Sequence, residues 1–200
     1  MAQHDDQADH QARALDALLP HAPRLGWSRA ALEAGLADLG LPRAEAGLLF
    51  GPGPFRLIEA WARLNDRRMT AAAAEADFEG LRTPGRVRAV VELRLGLLAP
   101  HKQALRSAVG LLATPFGLPS AWRIEARTVD AIWKAAGDAS SDFSRHSKRA
   151  ILAAIHTATL AYWLRNDGTS IEEAMAFFDR RLAMLPKKRK RASSTVSEAA

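Results

Sequence analysis

Cysteine is absent from this chain of 200 residues, which removes both disulfides and thiolate metal sites. Tyrosine occurs once, and β-branched residues are few beside alanine and leucine, so helix is favoured over strand throughout. No apolar run reaches the roughly 18 residues that span a bilayer. The run Ala150–Leu164 is too short, contains His156 and two threonines, and stops at Arg165. The catalytic patterns are missing too. His4, His10, His21, His101, His146 and His156 form neither His-Glu-x-x-His nor Glu-x-x-His, and there is no Gly-x-Ser-x-Gly and no phosphate loop. The prolines of "GPGP" at Gly51–Pro54 lack the amide donors a phosphate cradle needs. The reading is therefore of a chain with no catalytic residue, no metal and no cofactor.

Charge of one sign is scarce in the body. The net charge of +6 comes mostly from "KKRKR" at Lys187–Arg191, while residues 1–186 carry 23 Lys and Arg against 21 Asp and Glu. A body so balanced lacks the basic face of a nucleic-acid binder. The acidic start "MAQHDDQADH" reads as neither a signal peptide nor a transit peptide. The Ala- and Arg-rich composition fits a bacterium better than a mitochondrion, and the expected location is the bacterial cytoplasm, peripheral on the inner membrane.

What is present is helical periodicity. The chain reads as about nine helices, all-α: 9–19, 29–39 capped by Ser28, a short third helix opened by Pro42, 55–78, 86–98, 102–113, 121–136 capped by Ser120, one running through Ala150–Leu164, and 171–185. Ser140, Ser141 and Asp142 offer acceptors to the start of the eighth. Residues 1–8 and the basic tail 187–200 are expected to be disordered. Residues 9–50 have the order of a helix-turn-helix head, in a phrase, "LGLPRAEAGLLFGPGPFRLIEAW", like that of the TetR repressors, and residues 51–186 form a bundle with it in one domain. The third helix, however, offers one arginine offset by one glutamate, whereas phosphate contact and base readout need Arg, Asn or Gln. The head is a degenerate one, and specific nucleic-acid binding is not expected.

The run Ala150–Leu164 is apolar nearly all round, so it either fills a bundle centre or lines an apolar cavity. Small residues including Ala154 and Ala158 leave room beside it, and Trp133, Phe116, Tyr162, Trp163, Phe177 and Phe178 are candidates to wall that room. On periodicity alone ordinary core packing stays ahead, and His156 reads as a hydrogen-bonded core or pocket residue.

The stretch "RTVDAIWKAAGDASSDFSRHSKRAILAAI" resembles the Coq-nine family, the lipid-binding accessory proteins of ubiquinone biosynthesis. Asp130, Trp133, Ala136-Gly137-Asp138, Ser141-Asp142-Phe143 and Lys148-Arg149-Ala150 carry the likeness, and "VELRLGLLAPH" and Leu118-Pro119 extend it upstream. The resemblance implies a TetR-like fold that does not regulate transcription and binds an isoprenoid lipid, ubiquinone or a precursor. It implies presentation of that lipid to a ubiquinone-pathway hydroxylase at the membrane, and a homodimer. On it, the lipid pocket is expected at Leu95, Phe116, Trp133, Ala154, Ile155, Ala158, Tyr162, Trp163 and Phe177. The partner surface is expected at Asp130, Ile132, Asp142, Phe143, Arg145, His146 and Arg149, with cations at Arg145 and His146 where mitochondrial members carry aromatics. Contact with an anionic membrane falls to Lys187, Lys188, Arg189, Lys190 and Arg191, at about 1 kcal/mol each, or to another exposed helix. The alternative is a ligand-responsive repressor of the TetR type.

Overall fold

The computed structural model describes residues 2–138 and 144–184. Ten α-helices and two 3-10 turns make up the described residues, with no strand among them. The head holds α1 (Ala2–Leu18), α2 (Ala22–Leu25), α3 (Arg29–Asp38), a 3-10 turn at Arg43–Glu45, and α4 (Ala46–Leu49). The rest holds α5 (Pro54–Glu75), α6 (Thr83–Leu98), a 3-10 turn at Ala99–His101, α7 (Lys102–Leu112), α8 (Leu118–Ala135), α9 (Ser144–Leu164) and α10 (Ile171–Ala183).

Local chemistry accounts for most of these limits. Ser28 caps α3, its Oγ accepting from the Ala31 amide at 3.2 Å. Ser170 and Glu173 close a reciprocal capping box on α10. Proline occupies the first turn of α2, α5, α6 and α8, where its missing N–H costs nothing. The acidic start, expected to be disordered over residues 1–8, forms the first two turns of α1 over 2–8. Two expectations of helix limits change. "PHAPRLGW", read as a break, holds the single turn α2. Ser120 does not cap α8, which begins two residues earlier; it is buried in the first turn and accepts from Arg123 Nη2 at 2.9 Å.

Five helices form a closed ring in which α5 packs on α6, α6 on α10, α10 on α9, α9 on α8 and α8 back on α5. Val90, Val91, Leu95, Ile132 and Phe178 fill its centre. Outside the ring, α7 joins α8 to α2 of the head. In the head, α1 and α3 approach so closely that a Cβ on Gly35 would sit 2.5 Å from the Ala17 carbonyl carbon. Trp27 links head and bundle: its ring lies 5.1 Å from that of Trp61 on α5.

The run that reads as apolar nearly all round is buried along one stripe. On α9, Leu152, Ile155, Thr159 and Trp163 face the core, while Ala150, Ile151 and Ala154 are exposed.

Candidate functional site

Cross-helix pairs set the register around an apolar cavity that carries buried polar groups. Glu59 pairs with Arg123 at 2.8 Å, and Asp66 accepts from Thr128 at 2.9 Å, so α5 and α8 run side by side in the same direction. Glu125 meets His156 at 2.8 Å and Asp130 meets Arg149 at 2.8 Å, so α9 runs antiparallel to α8. Between α5, α6, α7, α8 and α9 this leaves a cavity of about 310 Å³. Its two ends differ. Ile58, Leu112, Leu118, Ala121 and Leu160 line one end; Asn65, Arg94, Glu125, Thr128 and His156 line the other.

The polar end is buried. Arg94 is 5% exposed and His156 1% exposed. Arg94 Nη1 donates to Asp66 Oδ1 at 2.7 Å, Arg127 Nε donates to Asp66 Oδ2 at 2.9 Å, and the Thr128 hydroxyl completes the set. Burial pulls the Arg94 guanidinium below its ordinary value, and the charge of Asp66 opposes that shift. At Glu59, near the other end, burial works to raise the carboxyl. Hydrogen bonds from Arg123 and Ser120 outweigh it and hold Glu59 below the usual carboxylate range.

Three buried nitrogens on cavity-lining residues have no hydrogen-bond partner in the chain: Trp61 Nε1, Arg94 Nε and His156 Nε2. Buried polar atoms are nearly always paired, so unpaired ones on residues lining one cavity suit a ligand's oxygens. Trp61 and Arg94 can only donate. Glu125 occupies His156 Nδ1, which leaves Nε2 as the ring nitrogen without a partner in the chain, a donor or an acceptor according to the tautomer. Two donors beside an imidazole nitrogen suit a ring bearing carbonyl or hydroxyl groups.

A second hollow, about 540 Å³, lies between the Gly51–Pro54 turn and the head. Its polar side chains are already committed: Trp27 Nε1 donates to Ala104 O, Ser28 caps α3, and Arg29 Nε donates to Glu33. It offers a ligand little beyond shape.

The cavity does not coincide with the expected pocket. The cavity is walled by α9, as expected, but by His156, Thr157, Leu160 and Ala161 on a different face. None of the nine expected residues lines it. Leu95 is in the ring core, and Ile155 and Trp163 are buried against it. Lys102 Nζ also lies 5.0 Å from the Trp163 ring. Tyr162 stacks on Phe177 at 4.7 Å, between α9 and α10. Trp133 packs at the core edge, with Lys148 Nζ 5.6 Å from its ring. Ala154 is exposed and Ala158 half-buried. Phe116 is 86% exposed and lies outside the cavity.

On the expected partner surface, Ile132 is fully buried and cannot meet a partner. Asp130 and Arg149 are paired with each other, and Asp130 also with Lys134 at 2.8 Å. His146 is exposed. Asp142, Phe143, the Arg145 side chain and Lys187–Arg191 lie outside the described residues. So do the capping candidates Ser140 and Ser141. In the head, the element that would read DNA is a 3-10 turn plus the single turn α4; Glu45 bonds His10 at 3.0 Å, and Leu48 is exposed. Among the described residues no group of three His, Cys, Asp or Glu is placed to hold a metal, and no helix is long and apolar enough to cross a membrane.

Residues 118–187, covering α8 to α10, match the sequence model of the COQ9 family. Over 186 residues the chain is 30% identical to the human mitochondrial ubiquinone biosynthesis protein COQ9, covering 90% of this chain and 58% of that one. The Drosophila melanogaster protein of the same name is 28% identical over 176 residues, covering 86% of this chain and 54% of that one. The chain thus spans somewhat more than half the length of the curated relatives it matches. The crystal structure of a TetR transcriptional regulator from Nitrosomonas europaea superimposes with a TM-score of 0.68. At 22% identity it covers 88% of this chain and 97% of that one, which establishes the shared fold.

Proposed function

We propose that this chain, a homologue of the COQ9 proteins, is a non-catalytic accessory protein of ubiquinone biosynthesis. It binds an isoprenoid ubiquinone precursor and presents it to a hydroxylase at the membrane. The observation that carries the reading is the two-ended cavity. An apolar passage past Leu112, Leu118 and Leu160 suits a polyprenyl tail, and the buried end at Trp61, Arg94 and His156 suits an oxygen-bearing ring. At about 310 Å³ it lies at the low end of ligand pockets, roughly 300–1,000 Å³. It has room for the ring and the first isoprene units, with the remaining tail at the mouth.

The surrounding surface supports the assembly implied by that role. Ala150, Ile151 and Ala154 give α9 a smooth apolar strip for a second copy of the chain, and the Asp130–Arg149 pair beside exposed His146 gives a polar face for the hydroxylase. The basic segment Lys187–Arg191 adds attraction to an anionic membrane.

Native mass spectrometry of the purified chain, followed by analysis of its organic extract, tests the reading. A co-purifying isoprenoid with an oxygenated ring is the expected result. An empty protein that takes up no such lipid from detergent overturns it.

A further inference from the structure

Three of the most exposed large apolar side chains sit together where α7 turns into α8. Phe116 is 86% exposed, Trp122 75% and Leu118 57%. Leu118 and Trp122 are four residues apart on α8 and share a face. Phe116 precedes them in the turn. The turn is held in shape. Thr114 Oγ1 donates to Leu111 O at 2.7 Å and accepts from the Gly117 amide at 3.2 Å, and the Leu118 amide donates to Thr114 O at 3.1 Å. Gly117 lies so close to the Leu111 carbonyl that any Cβ there would clash. The apolar side chains are therefore presented on a fixed elbow.

Two further observations say what this elbow meets. First, Leu118 belongs to both the exposed patch and the apolar end of the cavity, so patch and mouth are continuous. Second, residues 93–124 contain no Asp or Glu, while Lys102, Arg106 and Arg123 are cationic and exposed or partly so. Arg123 shares a shallow hollow with Phe116, the exposed Arg56 of α5 and the buried Glu59, to which Arg123 donates at 2.8 Å. Aromatic side chains backed by arginines, with the neighbouring carboxylate buried and paired, suit the boundary between anionic headgroups and acyl chains.

We infer that the α7–α8 elbow is a membrane-docking site, with Phe116 and Trp122 immersed in the outer acyl region of an anionic bilayer and Leu118 leading from it into the cavity. The inference rests on the lipid-binding reading above for the purpose of the mouth, while the docking itself is measurable without it. It also differs from attraction through the basic tail, because apolar insertion survives salt. At about 1 M salt the screening length falls to about 3 Å.

Co-sedimentation with vesicles of phosphatidylcholine and phosphatidylglycerol tests it on the full chain. Three proteins are compared: the parent, Phe116→Ser/Trp122→Ser, and a variant with Lys187–Arg191 changed to Ser. The replaced side chains are exposed, so circular dichroism should show the fold retained. The elbow variant should lose vesicle binding by about tenfold or more at both low and high salt. The tail variant should lose binding at low salt only. Vesicles with brominated acyl chains should quench parental fluorescence, and Trp122→Phe should bind vesicles normally with much of that quenching gone. An elbow variant that sediments like the parent at high salt, or quenching unchanged in Trp122→Phe, overturns the inference. So does a change in oligomeric state with vesicle binding intact, which would make the patch a contact between copies. Loading with a polyprenyl phenol from detergent separates the two readings. If the parent fails to load while the elbow results hold, the cavity reading fails and docking stands. If all variants load but the elbow variant still binds vesicles like the parent, docking alone fails.

Discussion

Trp27 donates its indole N–H to the carbonyl of Ala104 at 3.0 Å, a bond that crosses 77 positions of sequence and ties the head to α7. Trp27 is almost wholly buried, so the bond is shielded from water. Trp27→Phe removes the donor and part of the packing against Trp61. The expected loss is about 1–3 kcal/mol in urea unfolding, with head and bundle still melting in one transition.

Asp66 is the hub of the cavity's polar end, accepting from Arg94, Arg127 and Thr128. Asp66→Asn keeps the shape and removes the charge, leaving Arg94 buried without its counter-ion. Breaking such a pair typically costs about 3–5 kcal/mol. Chemical denaturation should show a loss of that order, larger than that of Arg127→Ala, where the side chain removed is itself partly exposed.

Cavity lining decides which alanines control lipid. Ala121 lines the apolar end, whereas Ala158 does not line the cavity at all. Ala121→Phe should abolish lipid co-purification with helix content intact, at an overpacking cost of about 1–3 kcal/mol. Ala158→Phe should leave lipid occupancy unchanged. Extraction and mass spectrometry of both variants check this, and the reverse result would place the lipid on the other face of α9.

Acid should destabilise the fold in two steps. Burial lowers the His101 pKa below its ordinary 6.5, with Asp16 opposing the shift and Arg68 adding to it. The folded state therefore holds fewer protons there than the unfolded chain, and stability present above pH 6.5 is lost as pH falls through the folded value. Glu59, held below its ordinary 4.5, adds a second loss as pH falls beneath that value. Urea midpoints measured from pH 8 to 4 should decline on acidification, and His101→Gln should flatten the first step alone.

The head should not select DNA sequence. Fluorescence anisotropy with mixed duplexes should show weak, salt-sensitive binding that disappears when Lys187–Arg191 is removed. Sequence-selective binding that survives the deletion would favour a repressor.

Periodicity and capping made the helices legible. Ser28 followed by an amphipathic stripe placed α3 to within a residue, and the stripe Val87, Val90, Val91, Leu95, Leu98 placed α6. The face of α9 that lines the cavity was not legible, because small and apolar residues lie on every side of it, and only packing against α8 and α10 chooses among them. The polar end of the cavity leaves a further trace in the sequence. Arg94 occupies a slot in the α6 stripe between Val91 and Leu98, where a cation has no reason to be unless something buried pairs with it. Asp66 and His156 interrupt the buried stripes of α5 and α9 in the same way. Three such interruptions, of complementary charge, were the available signal. Ile132 misled in the opposite sense: it neighbours residues expected at a surface, but its own helical position points inward.

The two-ended cavity also imposes an order of passage. An amphiphile that enters from the apolar end must bring its ring past Leu118 first and lodge it near His156, with the tail trailing behind. Departure by the same route reverses the sequence, so the ring, the part on which chemistry is done, is the last to leave. A receiving enzyme could take such a cargo only by drawing on the tail, from a position that shares the bilayer with the α7–α8 elbow. Handover would then be a relay through a common patch of lipid, with the bilayer itself as the third party to the exchange.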